Sequence, residues 1–386
     1  MKNTSRREFL RKVLLGSTAV GAAGCLGSLL FKDSGALKSG FFSSGMGASS
    51  GKEAMFYQKM ENNMVRCQLC PHRCTISDGS IGICRVRKNT AGKLYSQVYG
   101  NPCSVNVGII EKAPLHHFIP GHDRLCVATV GCNLRCKYCH NWQISQRGPG
   151  EIREYDMSPE EIVEEALREE VMSISFTYTE PTIFYEYMYD ISKIAKNNGL
   201  KVSIVSNGYI NPQPLRELLP YLDAVKIDLK AFSEEFYREI SSANLDPVLQ
   251  TLMLLKEEEM LFEIVNLVVP TLNDSNDEIK KMCVWINENL GEEVPVHFNR
   301  FSPSYKLTEL PSTPVNTLEA AVSIAHETGL KYVYIGNVPG HKHNSTFCPQ
   351  CKERLIHRAH YSVRSINLKN GSCKFCGYKI HGRWEA

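Results

Sequence analysis

The sequence predicts an α/β fold built around a parallel sheet. Short apolar runs alternate with amphipathic stretches from about Leu125 onward, as βαβ units require. Helix starts carry capping residues. The apolar runs end, one after another, on polar or cysteine-bearing residues, and strand ends are where parallel sheets gather function.

The first strand is expected over Leu125 to Val130. Six more follow at Ser173–Tyr178, Lys201–Ser206, Ala224–Asp228, Leu261–Val268, Val294–Phe298 and Lys331–Ile335. Ser158-Pro159-Glu160-Glu161 combines a capping box with proline in the first helical turn. Asn273-Asp274-Ser275-Asn276 opens another helix. Right-handed crossovers would curl such a sheet into a full or partial barrel, and periodicity alone does not separate that from a doubly wound sheet.

The chain has 386 residues, enough for one large domain with appendages or two ordinary ones. Its Lys+Arg count of 44 against Asp+Glu of 41 is too balanced to favour a nucleic-acid or anionic membrane surface. Its 15 cysteines are clustered, and C-x2-C pairs point to metal sites more than to a disulfide framework.

The N-terminus reads Ser5-Arg6-Arg7-Glu8-Phe9-Leu10-Arg11 before an uncharged stretch from Val13 to Phe31. It resembles a twin-arginine export signal, so export or membrane association is expected, with a cytoplasmic location as the alternative. Ala22-Ala23-Gly24-Cys25 partly matches a lipoprotein cleavage box, which would place a lipid on Cys25. The Ser/Gly-rich stretch that follows reads as a flexible tether. The expected division is a leader over 1–31, a linker over 32–54, a Cys-rich module over 55–120, a core over 121–340 and a second metal-binding module over 341–386.

The core begins with Cys132-x3-Cys136-x2-Cys139, on a loop where the first strand ends. Four thiolates would close a zinc site or fully ligate a cubane iron–sulfur cluster; three leave one iron open to a small molecule. A zinc knuckle that borrows His140 is the competing reading. Later strand ends carry Tyr178-Thr179-Glu180-Pro181, Ser206-Asn207-Gly208, Asp228-Leu229-Lys230 and His297-Phe298-Asn299-Arg300. Each segment also has an ordinary structural use as a turn, a helix entry or a cap.

Two further cysteine groups flank the core. Cys348-x2-Cys351 and Cys373-x2-Cys376 have the spacing of a zinc ribbon. Cys67-x2-Cys70-x3-Cys74-x9-Cys84 suits zinc or an auxiliary cubane, and disulfides are a third option for an exported chain.

These motifs together resemble the radical S-adenosylmethionine (radical SAM) superfamily, and over roughly residues 55–386 the radical SAM member of the AmmeMemoRadiSam system, a relative of pyruvate formate-lyase activating enzymes. The resemblance implies a partial (β/α)6-type barrel with a Cys-rich N-terminal module and a C-terminal zinc ribbon. It implies a [4Fe-4S] cluster on Cys132, Cys136 and Cys139, with Tyr138 beside it and SAM on the open iron. Thr179, Glu180, Ser206, Asn207, Asp228, Lys230 and His297 match positions that hold SAM, although Thr179 replaces a glycine of the family pattern. Reductive SAM cleavage and hydrogen abstraction from a protein or peptide are the implied activity. An electron donor and AMMECR-type and Memo-type proteins are the implied partners. The competing readings are a catalytically inert, metal-bound scaffold and a radical SAM enzyme acting on RNA or peptides; the near-neutral charge disfavours nucleic acid.

Overall fold

The computed structural model describes residues 51–385. The leader, Cys25 and most of the expected tether lie outside the described residues. The last residues of that tether, Lys52–Glu53, are a strand paired antiparallel with Lys93–Ser96.

Eight strands form the central sheet: β1 (Ser104–Ile109), β2 (Asp123–Ala128), β3 (Ser173–Phe176), β4 (Lys201–Ser206), β5 (Ala224–Asp228), β6 (Phe262–Val268), β7 (Val296–Arg300) and β8 (Val333–Gly336). They lie side by side in chain order. β2 to β8 are parallel throughout, and β1 pairs antiparallel with β2 at one edge. Six helices connect the seven parallel strands: α1 (Pro159–Arg168), α2 (Tyr185–Asn197), α3 (Pro212–Leu218), α4 (Asp246–Glu257), α5 (Asn276–Leu290) and α6 (Val315–Glu327). This is a partial barrel of six β/α units and a closing parallel strand.

All seven expected strands are present, within one to two residues at most ends. The capping box of α1 forms as its sequence dictates: Ser158 Oγ accepts the Glu161 N–H at 3.2 Å, and Glu161 returns a carboxylate to the Ser158 N–H at 2.7 Å. Caps of this kind contribute about 1 kcal/mol. Ser275 caps α5 in the same way, accepting from the Glu278 N–H at 3.2 Å.

The two faces of the sheet differ. Ile174, Phe176, Val202, Ile204, Val225, Ile227, Ile264, Val296, Phe298 and Ile335 lie on one face and join the helices in the main core. Alternation puts Ser173, Ser175, Ser203, Lys226, Glu263, His297 and Tyr334 on the other, all of them buried. A parallel sheet covered on both faces is usually apolar on both. Here one face is a polar interior, and its charges must be paired.

They are paired most densely at the N-terminal ends of the strands. Glu263, second in β6, accepts His297 Nε2 and the His117 backbone N–H, each at 2.7 Å. Arg358, from the strand Arg354–Ala359 of the C-terminal module, donates to the His116 carbonyl at 2.7 Å. The C-terminal module therefore closes this end of the barrel, leaving the opposite end to the loops.

Candidate functional site

The cysteine loop leaves β2 at the C-terminal end of the sheet. Its first residue must be glycine: Gly131 has φ +94°, and a Cβ there would lie 2.7 Å from both the Cys84 carbonyl oxygen and Val86 Cγ1. Three other segments fix the loop. The Arg135 and Lys137 N–H groups donate to the Ser241 and Ile240 carbonyls, both at 2.9 Å. Lys306 donates to the Lys137 carbonyl at 2.8 Å, and His72 Nε2 meets the Asn133 carbonyl at 2.8 Å.

Cys136 is buried, and Cys132 and Cys139 are partly buried. The Leu134 N–H points at the Cys132 sulfur at 3.4 Å, and Asn207 Nδ2 approaches it at 3.9 Å. Cys139 Sγ contacts Ser145 Oγ at 3.2 Å. Donors aimed at sulfur stabilise a thiolate and tune a metal bound to it. Burial pushes the Cys132 thiol well up, so a bound cation is what would hold it as thiolate. Among the described residues, no three of these sulfurs and His140 come within 4.8 Å of one another, and His140 is exposed. A single tetrahedral ion does not fit this spacing. Three soft thiolates spread over one loop suit a cluster.

The neighbouring strand ends converge on this loop. Thr179 Oγ1 donates to the Thr129 carbonyl at 2.9 Å, and the Tyr178 carbonyl accepts Asn141 Nδ2 at 2.8 Å. Glu180 is buried and its carboxylate accepts four hydrogen bonds. Oε1 accepts the Thr182 N–H (3.0 Å), Thr182 Oγ1 (2.7 Å) and Ser206 Oγ (2.7 Å), while Oε2 accepts the Asn207 N–H (2.8 Å). Asn207 Nδ2 continues to Asn133 Oδ1 at 2.9 Å, inside the cysteine loop. Asp228 lies between Lys226 and Lys230, 3.4 Å from the latter. Burial would raise its pKa, but the two lysines hold it below the ordinary carboxylate value. Lys230 Nζ lies 6.0 Å from the ring centre of Tyr138, whose buried hydroxyl has no partner among the described residues.

His297 is a correction. It was expected at a strand end facing the loop, but β7 runs on to Arg300, which places His297 about 10 Å below that end at about 3.3 Å per residue. Its ring is fully buried, bonded to Glu263 and stacked on Tyr334 at 4.8 Å. Burial drives it below the usual histidine value. Two residues of the site escaped the sequence reading. Asn133 ties the loop to Asn207. Lys226 is a buried cation beside Asp228, and its signal was a lone lysine in the apolar strand Ala224–Asp228.

The cysteines of the C-terminal module do gather at single-ion distance. The four sulfurs lie within 4.8 Å of one another, with Cys348 to Cys376 at 3.6 Å and Cys351 to Cys373 at 3.7 Å.

Sequence comparison agrees with this geometry. The profile of the Radical SAM superfamily matches residues 126–285, from β2 through α5. The chain belongs to the radical SAM superfamily. An uncharacterized protein of Methanocaldococcus jannaschii is 47% identical over 331 residues, covering 85% of this chain and 98% of its own. The pyruvate formate-lyase-activating enzyme of Clostridium pasteurianum is 26% identical over 203 residues, covering 48% of this chain and 83% of its own. The structure of Streptococcus suis SuiB bound to S-adenosylmethionine has a TM-score of 0.45 at 16% identity, covering 59% of this chain and 53% of that one. As a radical SAM enzyme, the protein is of a family that works with a [4Fe-4S] cluster and SAM.

Proposed function

We propose that Cys132, Cys136 and Cys139 hold the [4Fe-4S] cluster and that the enzyme abstracts hydrogen from a protein or peptide, in the manner of a glycyl-radical activating enzyme. The observation that carries the reading is the convergence on the loop of the ends of β3, β4 and β5 through Glu180, Asn207 and Lys230. When bound, cluster and SAM supply a 5′-deoxyadenosyl radical by one-electron cleavage of the sulfonium.

The chain's own residues orient and protect. Glu180 accepts four hydrogen bonds within the site, and through two of them it positions Ser206 and Asn207. Asn207 presents its amide beside the Cys132 sulfur. Asp228 remains charged between two lysines and offers an acceptor for the amino group of SAM, while Lys230 offers a cation for its carboxylate. Tyr138 and Thr179, both buried, help exclude water from a site where a primary carbon radical would attack it.

The C-terminal quartet is proposed to hold zinc. A Zn–S bond of about 2.3 Å gives a tetrahedral edge of about 3.8 Å, close to the sulfur separations seen there. Its role is structural, because four thiolates leave no open position. AMMECR-type and Memo-type proteins are proposed as partners on the resemblance alone.

Anaerobic reduction of the reconstituted enzyme with SAM and a deuterated candidate protein tests the reading. Deuterium appearing in 5′-deoxyadenosine supports it. Equal 5′-deoxyadenosine formation with and without each candidate, and no deuterium transfer, would reject a protein substrate.

A further inference from the structure

The N-terminal quartet is not a second copy of the C-terminal one. Cys67, Cys70 and Cys84 are buried and Cys74 partly so, and all four are free thiols. They are drawn into one place from three elements. Val65–Cys67 is a strand, Cys70 and Cys74 close a turn in which the Cys67 N–H donates to the Cys74 carbonyl at 2.9 Å, and Cys84 comes from the next loop. Yet among the described residues only the C-terminal sulfurs gather within 4.8 Å. No three of the N-terminal sulfurs lie within that distance of one another, a wider spacing than a single tetrahedral ion imposes on its thiolates.

A second observation concerns Arg87. It is 2% exposed and makes one ion pair, Nη2 to Glu186 Oε2 at 2.6 Å. Its Nε and Nη1 are buried without a partner among the described residues. Each buried donor left unpaired costs about 1–3 kcal/mol. Cys67 and Cys84 are the cysteines near its guanidinium. An anionic metal–thiolate centre would supply the missing acceptors; a neutral set of four thiols would not.

The third observation is position. The Cys84 carbonyl packs against Gly131, the residue before Cys132. Arg135 bonds the Ile83 carbonyl with Nη2 and the Cys132 carbonyl with Nη1 at 2.8 Å, so one guanidinium spans the two cysteine groups.

We infer that Cys67, Cys70, Cys74 and Cys84 hold a second [4Fe-4S] cluster that feeds single electrons to the cluster on the Cys132 loop. The relay rests on the function proposed above; the metal assignment does not. The step balances as one electron: the reduced N-terminal cluster is oxidised, the loop cluster is reduced, and a low-potential one-electron donor of the ferredoxin or flavodoxin class restores the first. Four protein ligands leave that cluster no open iron, which suits electron transfer and not SAM binding.

The test is a metal count on the full chain. The C132A/C136A/C139A variant is reconstituted anaerobically with iron and sulfide, and iron, acid-labile sulfide and zinc are measured. The inference predicts about four irons and four sulfides per chain, against about eight of each in wild type, and the paramagnetic signal of a reduced cubane. Zinc at about two per chain without sulfide overturns it, as does an empty N-terminal site. If the loop reading fails instead, wild type and variant carry the same four irons, which keeps the metal assignment and overturns the relay. C74A, at the least buried ligand, keeps the loop cysteines. It should slow reduction of the loop cluster by reduced flavodoxin at least about tenfold; an unchanged rate overturns the relay.

Discussion

The Glu180 carboxylate accepts the backbone N–H of Asn207 at 2.8 Å, and through that bond the end of β3 fixes the end of β4. Asn207 in turn reaches Asn133 and the Cys132 sulfur. The loop cysteines are thus held by a chain of buried polar contacts that starts at the end of the adjacent strand, β3, and passes through the end of β4.

Glu180→Ala leaves the Asn207 N–H and the Ser206 and Thr182 hydroxyls without their acceptor. The expected loss is about 1–3 kcal/mol for each donor that water does not reach, read as a lower denaturation midpoint. Cluster content after reconstitution should fall with it, because Asn207 is freed. Glu180→Gln keeps one acceptor oxygen and should lose less.

Asp228 carries a pH signature. Its pKa is depressed in the folded state by Lys226 and Lys230, so its stabilisation is full above the unfolded value of about 4 and vanishes as pH falls through the lower folded value. Wild type should therefore lose stability on acidification below about pH 4. Asp228→Asn should lower stability at neutral pH and flatten that acid limb, measured by denaturant titration across pH.

His297→Phe separates a structural histidine from a ligand-binding one. The account predicts a loss of about 1–3 kcal/mol, because Glu263 is left buried with one partner fewer. SAM affinity of the reconstituted enzyme should stay within about twofold of wild type, a difference of under 0.5 kcal/mol. A tenfold loss in affinity at unchanged stability would return His297 to the site.

The Arg87–Glu186 pair is buried on both sides, at 2% and 1% side-chain exposure. Glu186→Gln removes one charge and strands the other, and breaking a buried pair this way costs about 3–5 kcal/mol. Equilibrium unfolding of the purified variant measures it.

Much of the barrel was legible because it depends on local pattern. The seven parallel strands announce themselves as apolar runs between capped helices. β1 did not: Ser-Val-Asn-Val-Gly-Ile is an edge strand with no fully buried residue, so its sequence lacks the contrast that marks a strand. The cysteine loop was legible because metal chemistry fixes residue type and spacing together. The polar interior was not, because its partners are distant in sequence. Glu263 finds His117, 146 residues away, and Arg358 finds the His116 carbonyl, 242 residues away. His297 was misplaced for a related reason: Asn299 and Arg300 look like a loop and are strand. The bonds of Glu180 were not legible for the same reason, because Ser206 and Asn207 lie 26 and 27 residues further on.

The most direct measurement is SAM cleavage by the anaerobically reconstituted, reduced wild-type enzyme beside Cys136→Ala. The account predicts 5′-deoxyadenosine and methionine from wild type and neither from the variant. Continued cleavage by Cys136→Ala, or no cleavage by a wild-type enzyme carrying its full complement of iron and sulfide, would contradict it.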